Sequence, residues 1–337
     1  MMLSDRRSYS IVTKMISFCF LLSLYGCAST SKLKRITLAH GLPISHPVHK
    51  GIIVFKEVLA EKSGGTLDIH IYPDGQLGSE REVLELLQIG SIAATKVSAA
   101  TMANFVPEYS VLGIPYIFRD KTHYFSVIGS DIGQLILDRG TAYGLQGLCF
   151  YDAGSRSFYT KTKPVRTPED LKSLKIRVMN DPTAIKMVEA LGGSPTPMSY
   201  GELYTALQQG VVDGAENNAP SFVTSRHFEI CKHYTLDAHT YVPDVLIMGT
   251  KFMETLTAQE KQWIQEAAAV SAKAQKKFWE DSEVESYALL KEEGVHIYKV
   301  DQKPFSEQTE VVRSSFSDPA LQTLIKQIQS YKSKSKE

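Results

Sequence analysis

The longest helical pattern in this chain runs for nearly forty residues, from a capping box at Thr257 and Glu260 to Gly294. At about 1.5 Å per residue, a helix of that length extends for roughly 55 Å, which is enough to cross two lobes. The chain has 337 residues, and single hydrophobic cores stop growing at about 250–300 residues. We therefore expect two lobes, with the helix at about 257–293 bracing both of them.

Strand and helix patterns alternate along the rest of the chain. A strand at 34–39, a helix at 50–62 and a strand at 67–72 follow one another near the start. The alternation restarts after Gly144, with strands at 145–151 and 175–178. Alternation of this kind predicts an α/β fold in each lobe, with mostly parallel sheets covered by helices.

The N-terminal segment has the features of an export signal. Three basic residues precede the apolar run Met15–Leu24, which is too short to span a bilayer because that takes about 18 residues. The run ends in Leu-Tyr-Gly-Cys, which resembles the bacterial lipobox, although Tyr25 departs from the usual small residue. We predict that 1–26 is removed, that Cys27 is lipidated, and that the mature chain is a periplasmic, membrane-anchored lipoprotein. Ordinary cleavage nearby and an uncut signal anchor are the alternatives.

Composition narrows the possible partners. Lys and Arg number 37, Asp and Glu also number 37, and 43% of residues are hydrophobic. Such a chain is typical of a soluble globular protein and has no net positive field for binding nucleic acid. Cys149 and Cys231 lie in apolar runs, which favours two buried free thiols, with a disulfide between them as the alternative.

Short motifs that carry cofactor or nucleophile chemistry are missing from the sequence. It has no G-x-G-x-x-G turn, Walker A loop, H-E-x-x-H, G-x-S-x-G or paired C-x-x-C. We therefore predict that the protein is not an enzyme and has no cofactor. The nearest approach to a metal site is His40, His46 and His49, but their spacing places them on no common face, so we predict no metal.

The segment 174–217 is the most informative. It reads L-K-I-R-V-M-N and then L-G-G-S-P-T-P-M-S-Y-G-E-L-Y-T-A-L-Q-Q-G-V-V-D-G-A-E-N. It resembles the extracytoplasmic solute-binding proteins of TRAP transporters, the DctP-type family. Further matching pieces, in order, are Y-P-D-G-Q-L-G at 72–78, N-F-V-P-E at 104–108, I-P-Y-I-F at 114–118, G-S-R-S-F at 154–158, T-P-E-D-L-K at 167–172 and H-F-E-I-C-K at 227–232.

This resemblance implies a two-lobed periplasmic-binding-protein-like fold with strands that cross the hinge. The expected lobe 1 comprises 34–153 plus about 243–285, and lobe 2 comprises 154–242 plus about 295–330, with 331–337 as a frayed tail. It also implies that the protein captures a small organic acid by lobe closure and delivers it to TRAP membrane permease subunits. The alternative is a ligand-sensing binding lipoprotein with an apolar ligand or a protein partner.

Three polar residues match positions that hold the substrate carboxylate in the family. Arg177 is an always-charged group in an otherwise apolar strand, where burial is costly unless it meets an anion. By resemblance it binds the ligand carboxylate through two hydrogen bonds; pairing with a protein carboxylate such as Asp170 or Glu216 is the alternative. Arg156 and Asn217 match the arginine and the amide that reach the same carboxylate, with a surface ion pair and a turn role as their respective alternatives.

Other expected ligand contacts are Tyr200, Ser98 and His40, of which Tyr200 matches an aromatic position that packs on the ligand. The segment 98–102 is small and apolar, whereas the sialic-acid-binding branch has polar groups there. It therefore favours a compact or partly apolar monocarboxylate over a polyhydroxylated sugar acid. Lys96 either binds a second carboxylate or extends its head to solvent from an edge strand, and we favour the second.

Overall fold

The structure is a computed structural model and describes residues 33–332. Its compact unit begins at Arg35. The predicted export signal at 1–26 and the lipidation of Cys27 lie outside the described residues, as does 333–337 of the predicted tail.

A five-stranded sheet forms the core of the first lobe. Its order is β2-β1-β3-β10-β4. The strands are β1 (Lys34–Ala39), β2 (Leu67–Tyr72), β3 (Ala94–Ser98), β4 (Leu145–Tyr151) and β10 (Asp244–Gly249). A six-stranded sheet of order β11-β9-β5-β8-β6-β7 forms the second lobe. Its strands are β5 (Ser157–Thr160), β6 (Lys175–Val178), β7 (Ser194–Pro197), β8 (Gly214–Asn217), β9 (His233–Leu236) and β11 (His296–Lys299).

Helices cover both sheets. They are α1 (Pro47–Lys62), α2 (Glu80–Ile89), α3 (Ala99–Met102), α4 (Lys121–Ile128), α5 (Asp131–Arg139), α6 (Pro182–Ala190), α7 (Leu203–Gln209), α8 (Ala219–Thr224), α9 (Thr250–Glu254), α10 (Ala258–Glu292), α11 (Lys303–Gln308), α12 (Glu310–Ser314) and α13 (Pro319–Ser330). Short 3-10 turns lie at Pro107–Gly113, Gly140–Tyr143, Pro168–Leu171, Tyr200–Glu202 and His227–Glu229. Within residues 33–332, no helix is both long enough and apolar enough to cross a membrane.

Each sheet contains one strand that runs against the others whose pairing is described, so the prediction of mostly parallel sheets is confirmed. β10 runs antiparallel to β3 and β4, and β5 runs antiparallel to β8 and β9. The reason is the path of the chain, which leaves the first sheet after β4 and returns to its centre as β10. The two connecting segments meet where Arg156 and Thr240 form an antiparallel bridge. These segments are the hinge-crossing connections that the sequence predicted.

The long helix α10 braces the two lobes. Its N-terminal capping box at Thr257 and Glu260 is present, as predicted. Ile264 and Trp279 of this helix belong to the core of the first lobe, while Leu290 belongs to the core that contains the strands of the second. Helix α1 approaches it so closely that a Cβ on Gly51 would lie 2.6 Å from Cβ of Gln275.

The C-terminal region is shared between the lobes. Phe305 and Val312 pack with Ile176 and Val178 of the second lobe. The residues of α13 that enter a core pack with the first lobe instead; these are Leu324, Ile325 and Ile328. The prediction placed all of 295–330 in lobe 2, but α13 packs on the first lobe. The apolar face of this amphipathic helix packs beside the 3-10 turn at 107–113.

Candidate functional site

A cavity of about 490 Å³ is enclosed by residues of both lobes. Five of the six residues predicted to contact the ligand line it, namely Arg177, Arg156, Asn217, Tyr200 and Ser98. The sixth, His40, does not line it: its Nε2 lies 3.0 Å from Nδ1 of His49, and its Nδ1 accepts from the backbone of Leu42. The structure therefore brings together the predicted contacts except His40.

Arg177 is the most exceptional of the lining side chains. It lies on β6 with 2% of its surface exposed, and its Nε and Nη2 donate to the carbonyl oxygen of Met198 at 3.1 and 2.8 Å. Its Nη1 has no hydrogen-bond partner, and no carboxylate within residues 33–332 forms an ion pair with it. Burial lowers the pKa of this guanidinium, although an arginine stays charged. A buried cation without an anion is costly, so the cavity is prepared to receive one.

Arg156 is paired inside the protein. Its Nε donates to Oε2 of Glu216 at 2.5 Å, its Nη2 to Oε1 at 2.9 Å, and its Nη1 to Oδ1 of Asn217 at 2.8 Å. Both arginine and carboxylate are buried, so this is a buried ion pair, not one on the surface. Of the five N–H groups, one on Nη1 is left for a ligand. Oδ1 of Asn217 accepts from Arg156 and Asn218. Its Nδ2 group has no acceptor among the described residues.

Glu216 is held from its other side by a buried histidine. Nε2 of His239 lies 3.3 Å from Oε2 of Glu216, and Nδ1 lies 2.6 Å from Oδ2 of Asp237. Burial by itself lowers the pKa of His239, but Asp237 and Glu216 raise it to about 9. Burial also works against ionisation of Glu216, yet Arg156 and His239 bring its pKa down to about 2. The two acids and two bases therefore form a charged, self-compensating chain behind the cavity.

Tyr200 combines contact with the cavity and a structural role. Its ring lies under the guanidinium of Arg177, whose Cζ is 5.6 Å from the ring centroid. Its hydroxyl donates to the carbonyl of Ser221 at 3.2 Å and shares a hydrogen bond with Ser225 at 2.7 Å. The ring is thus fixed at both ends and orients the arginine.

The wall contributed by the first lobe is polar. Lys96 is 1% exposed and lies on β3, an interior strand, with its Nζ 3.4 Å from Oε1 of Glu80 and 3.2 Å from Oδ2 of Asp244. The favoured prediction that it extends to solvent from an edge strand is therefore wrong. Although burial lowers the pKa of Lys96, Asp244 and Glu80 raise it above its usual value. Ser98 lies beside this cluster, and its backbone N–H donates to both oxygens of Glu80 at 3.1 Å.

Sequence reasoning missed most of this wall. Glu80 and Asp244 lie far apart in the chain: the pairing of β10 with β3 brings Asp244 to Lys96, and the start of α2 places Glu80 there. His46 was considered only as a metal ligand, but it lines the cavity, with its Nε2 3.1 Å from Oγ of Ser221. Trp279 lines it as well. The only available signal was a lysine in an apolar strand, which indicates a buried partner without naming it.

The described residues contain no group of three or more His, Cys, Asp or Glu side chains placed to hold a metal ion. Cys149 and Cys231 are free thiols, in agreement with the favoured prediction. Burial raises the pKa of the Cys231 thiol to about 12, so it is not poised as a nucleophile. The chemistry that the cavity offers is recognition by charge and hydrogen bonding.

A sequence model of the DctP family, described as bacterial extracellular solute-binding protein, family 7, matches residues 38–318. The chain belongs to this family. The resemblance to TRAP solute-binding proteins that the motifs indicated is confirmed, and with it the two-lobed α/β fold.

Individual family 7 members are similar over nearly the whole chain. Protein YiiZ of Salmonella typhimurium is 39% identical over 292 residues, which cover 86% of this chain and 89% of that protein. A TRAP periplasmic solute-binding protein of Bradyrhizobium sp., solved with bound D-galacturonate, is 38% identical with a TM-score of 0.86, covering 88% of this chain and all of that one. A corresponding protein of Pseudomonas putida F1, solved with D-glucuronate, is 36% identical with a TM-score of 0.87, covering 89% and 98%. Family 7 proteins bind solutes outside the cytoplasm, and this chain is a TRAP-type solute-binding protein.

Proposed function

We propose that this TRAP solute-binding protein captures a sugar acid of the hexuronate class, with the ligand carboxylate held by Arg177. The observation that carries the proposal concerns Arg177, which lines the cavity and whose buried Nη1 has no partner. Arg156 and Asn217 each retain a donor at the same end of the cavity. A carboxylate placed there would accept charge-assisted hydrogen bonds, which are worth about 1.5–3 kcal/mol each. Micromolar affinity needs about 8 kcal/mol in total, so these contacts and modest further burial suffice.

The far wall supports a hydroxylated ligand over the compact or apolar acid that segment 98–102 favoured. The residues of segment 98–102 are small. The polar groups of this wall come from Glu80 on α2, Lys96 on β3 and Asp244 on β10. A cavity of about 490 Å³ falls within the range of small-molecule sites, about 300–1,000 Å³. The two solved relatives that hold D-galacturonate and D-glucuronate, at 38% and 36% identity, support the same class.

The proposed capture step is closure of the lobes about the segments 152–156 and 237–243. Two hydrogen bonds join the lobes across the cavity. His46, which caps α1 of the first lobe, meets Ser221 on α8, and Nδ2 of Asn104 donates to the carbonyl of Asn180 at 2.7 Å. Such contacts would form only when the lobes are closed, so ligand burial and lobe contact would occur together.

The proposed setting is the periplasm, with the protein anchored by lipid on Cys27 after removal of 1–26. From there the closed complex would deliver its ligand to the TRAP membrane permease subunits. Labelling of cells with a radioactive or alkyne-tagged fatty acid tests the anchor. We expect label on the wild-type protein and none on Cys27→Ser; a protein that is unlabelled and free in the periplasm would refute the anchor without affecting the ligand proposal.

The ligand proposal is tested by thermal unfolding of residues 28–337, refolded to remove any carried ligand. The panel contains D-galacturonate, D-glucuronate, short 2-oxo acids, aromatic acids, and the neutral sugars D-galactose and D-glucose. Because a ligand that binds only the folded state raises Tm, we expect a rise of several degrees with a hexuronate and none with the neutral sugars. A rise with a compact or aromatic acid alone would overturn the sugar-acid class, and no rise with any acid would overturn carboxylate capture.

A further inference from the structure

Three ionised side chains form a cluster on the cavity wall of the first lobe, and its composition bears on which acids can enter. We call Glu80, Lys96 and Asp244 the acceptor cluster. Glu80 begins α2, Lys96 lies on β3 and Asp244 begins β10. All three line the cavity. Arg177 faces the same cavity from β6 of the other sheet.

Glu80 is fully occupied within the protein. Its Oε1 accepts from Nζ of Lys96 at 3.4 Å and from the backbone of Ser98 at 3.1 Å. Its Oε2 accepts from the same backbone N–H at 3.1 Å and from Oγ1 of Thr101 at 2.6 Å. A carboxylate has about four acceptor sites, so little capacity is left for a ligand. Its role is to hold Lys96 in place.

Asp244 differs from Glu80 because one of its oxygens is unused. Oδ2 lies 3.2 Å from Nζ of Lys96, whereas Oδ1 receives no hydrogen bond from any residue in the described range 33–332. The residue is 8% exposed and lines the cavity. Asp244 thus offers the cavity an acceptor without a protein donor, and Arg177, whose buried Nη1 has no partner, lines the wall from the other lobe.

The two walls of the cavity carry different net charges. Arg177 and Arg156 against Glu216 leave one net positive charge on the wall from the second lobe. The acceptor cluster has two carboxylates and one ammonium, which leave one net negative charge on the wall from the first lobe. Of the other charged lining residues, Asp74, Glu82 and Arg81 make the wall from the first lobe more negative, and Glu202 cancels the net positive charge of the wall from the second lobe.

We propose that Asp244 is the specificity residue of this site: its Oδ1 accepts a hydrogen bond from a ligand hydroxyl and repels a second carboxylate. The cavity then takes acids with one carboxylate and hydroxyl groups at the other end, and rejects diacids of the same length. This inference rests on the proposed function, because it needs the ligand carboxylate to be at Arg177. Like charges brought together in a desolvated site are strongly unfavourable, whereas a hydroxyl donor satisfies Asp244.

The test compares two ligands with the wild-type protein and Asp244→Asn, by isothermal titration calorimetry. The ligands are a hexuronate and the six-carbon diacid with the same hydroxyl stereochemistry, for example D-glucuronate and D-glucarate. We expect the wild type to prefer the hexuronate by at least tenfold. In Asp244→Asn we expect hexuronate affinity to fall at least fivefold and the preference over the diacid to shrink at least tenfold.

Glu85→Gln is the matched control, because it removes one negative charge from α2 of the same lobe but does not line the cavity. Its carboxylate is exposed and accepts from Nε of Arg81, so both affinities should change less than twofold. Ligand-free Asp244→Asn should unfold cooperatively on heating, which would show that the variant is folded. Unchanged hexuronate affinity in Asp244→Asn, or an equal change in Glu85→Gln, would overturn the inference alone. If the wild type bound neither acid, the proposed function itself would fail.

Discussion

Arg177 donates two hydrogen bonds to one acceptor, the carbonyl oxygen of Met198, and its third nitrogen is buried without a partner. The ring of Tyr200 lies against the same guanidinium. The side chain is therefore fixed in place before any ligand arrives, and binding loses little side-chain entropy there.

Arg177→Met should leave the ligand-free protein as stable as the wild type, or make it more stable. The buried guanidinium has no carboxylate partner, and its desolvation costs several kcal/mol; two hydrogen bonds to Met198 offset only part of that. Urea unfolding at pH 7 measures the difference. A loss of more than about 2 kcal/mol would show that the protein itself satisfies Arg177 and would argue against a ligand role.

Glu216→Gln should destabilise the protein strongly. Glu216 accepts from Arg156 and contacts His239, and both partners are buried. Replacing the carboxylate leaves two cations without their shared anion, for which the expected loss is about 3–5 kcal/mol.

The measurement is the urea midpoint of Glu216→Gln beside that of Glu266→Gln. Glu266 pairs with Lys62 at the surface, 2.6 Å apart, so its replacement should leave the midpoint unchanged. Equal, small effects in the two variants would mean that the charged chain behind the cavity contributes nothing to folding.

Stability should fall as the pH rises from about 6.5 to about 9. Asp237 and Glu216 overcome the effect of burial and raise the pKa of His239 to about 9, above the usual 6.5. Because the folded state holds this proton more tightly, the contribution is fully present below pH 6.5 and is lost as the pH passes 9, by about 3 kcal/mol. Urea unfolding at pH 6.5, 7.5, 8.5 and 9.5 follows it. His239→Gln should flatten the slope; an equal slope in both proteins would refute the assignment.

Gly51→Ala should destabilise the packing of α1 on α10. The new Cβ would lie 2.6 Å from Cβ of Gln275, whose amide also bonds both backbone groups of Asp152. Neither helix can move easily, so overpacking should cost about 1–3 kcal/mol. Gly201→Ala is the control, since nothing lies within 4 Å of its Cβ position. Thermal unfolding compares the two, and equal Tm values would show that the long helix is not closely packed here.

The sequence was sufficient for features that depend on local patterns. The strands at 34–39, 67–72, 145–151 and 175–178 have the predicted bounds, and the capping box fixes the start of α10. Arg177 could be found because a guanidinium in an apolar strand is costly without an anion.

Features that depend on long-range pairing could not be read in this way. Asp244 reaches Lys96 only because β10 returns antiparallel beside β3, a pairing that no local periodicity encodes. His40 and His46 were indistinguishable in the sequence, yet hydrogen bonding holds His40 against His49 and places His46 at the cavity. Arg156 matched a ligand-binding position, and its pairing with Glu216 depends on the register between β5 and β8.

The most direct measurement is calorimetric titration of wild type and Arg177→Met with two ligands: the sugar acid that raises Tm most, and its neutral sugar. The account predicts that the variant binds the acid about 30- to 5,000-fold more weakly, because the carboxylate is buried without its partner. The preference for the acid over the neutral sugar should disappear with it. An unchanged affinity of Arg177→Met for the acid would contradict the claim that this arginine holds the carboxylate.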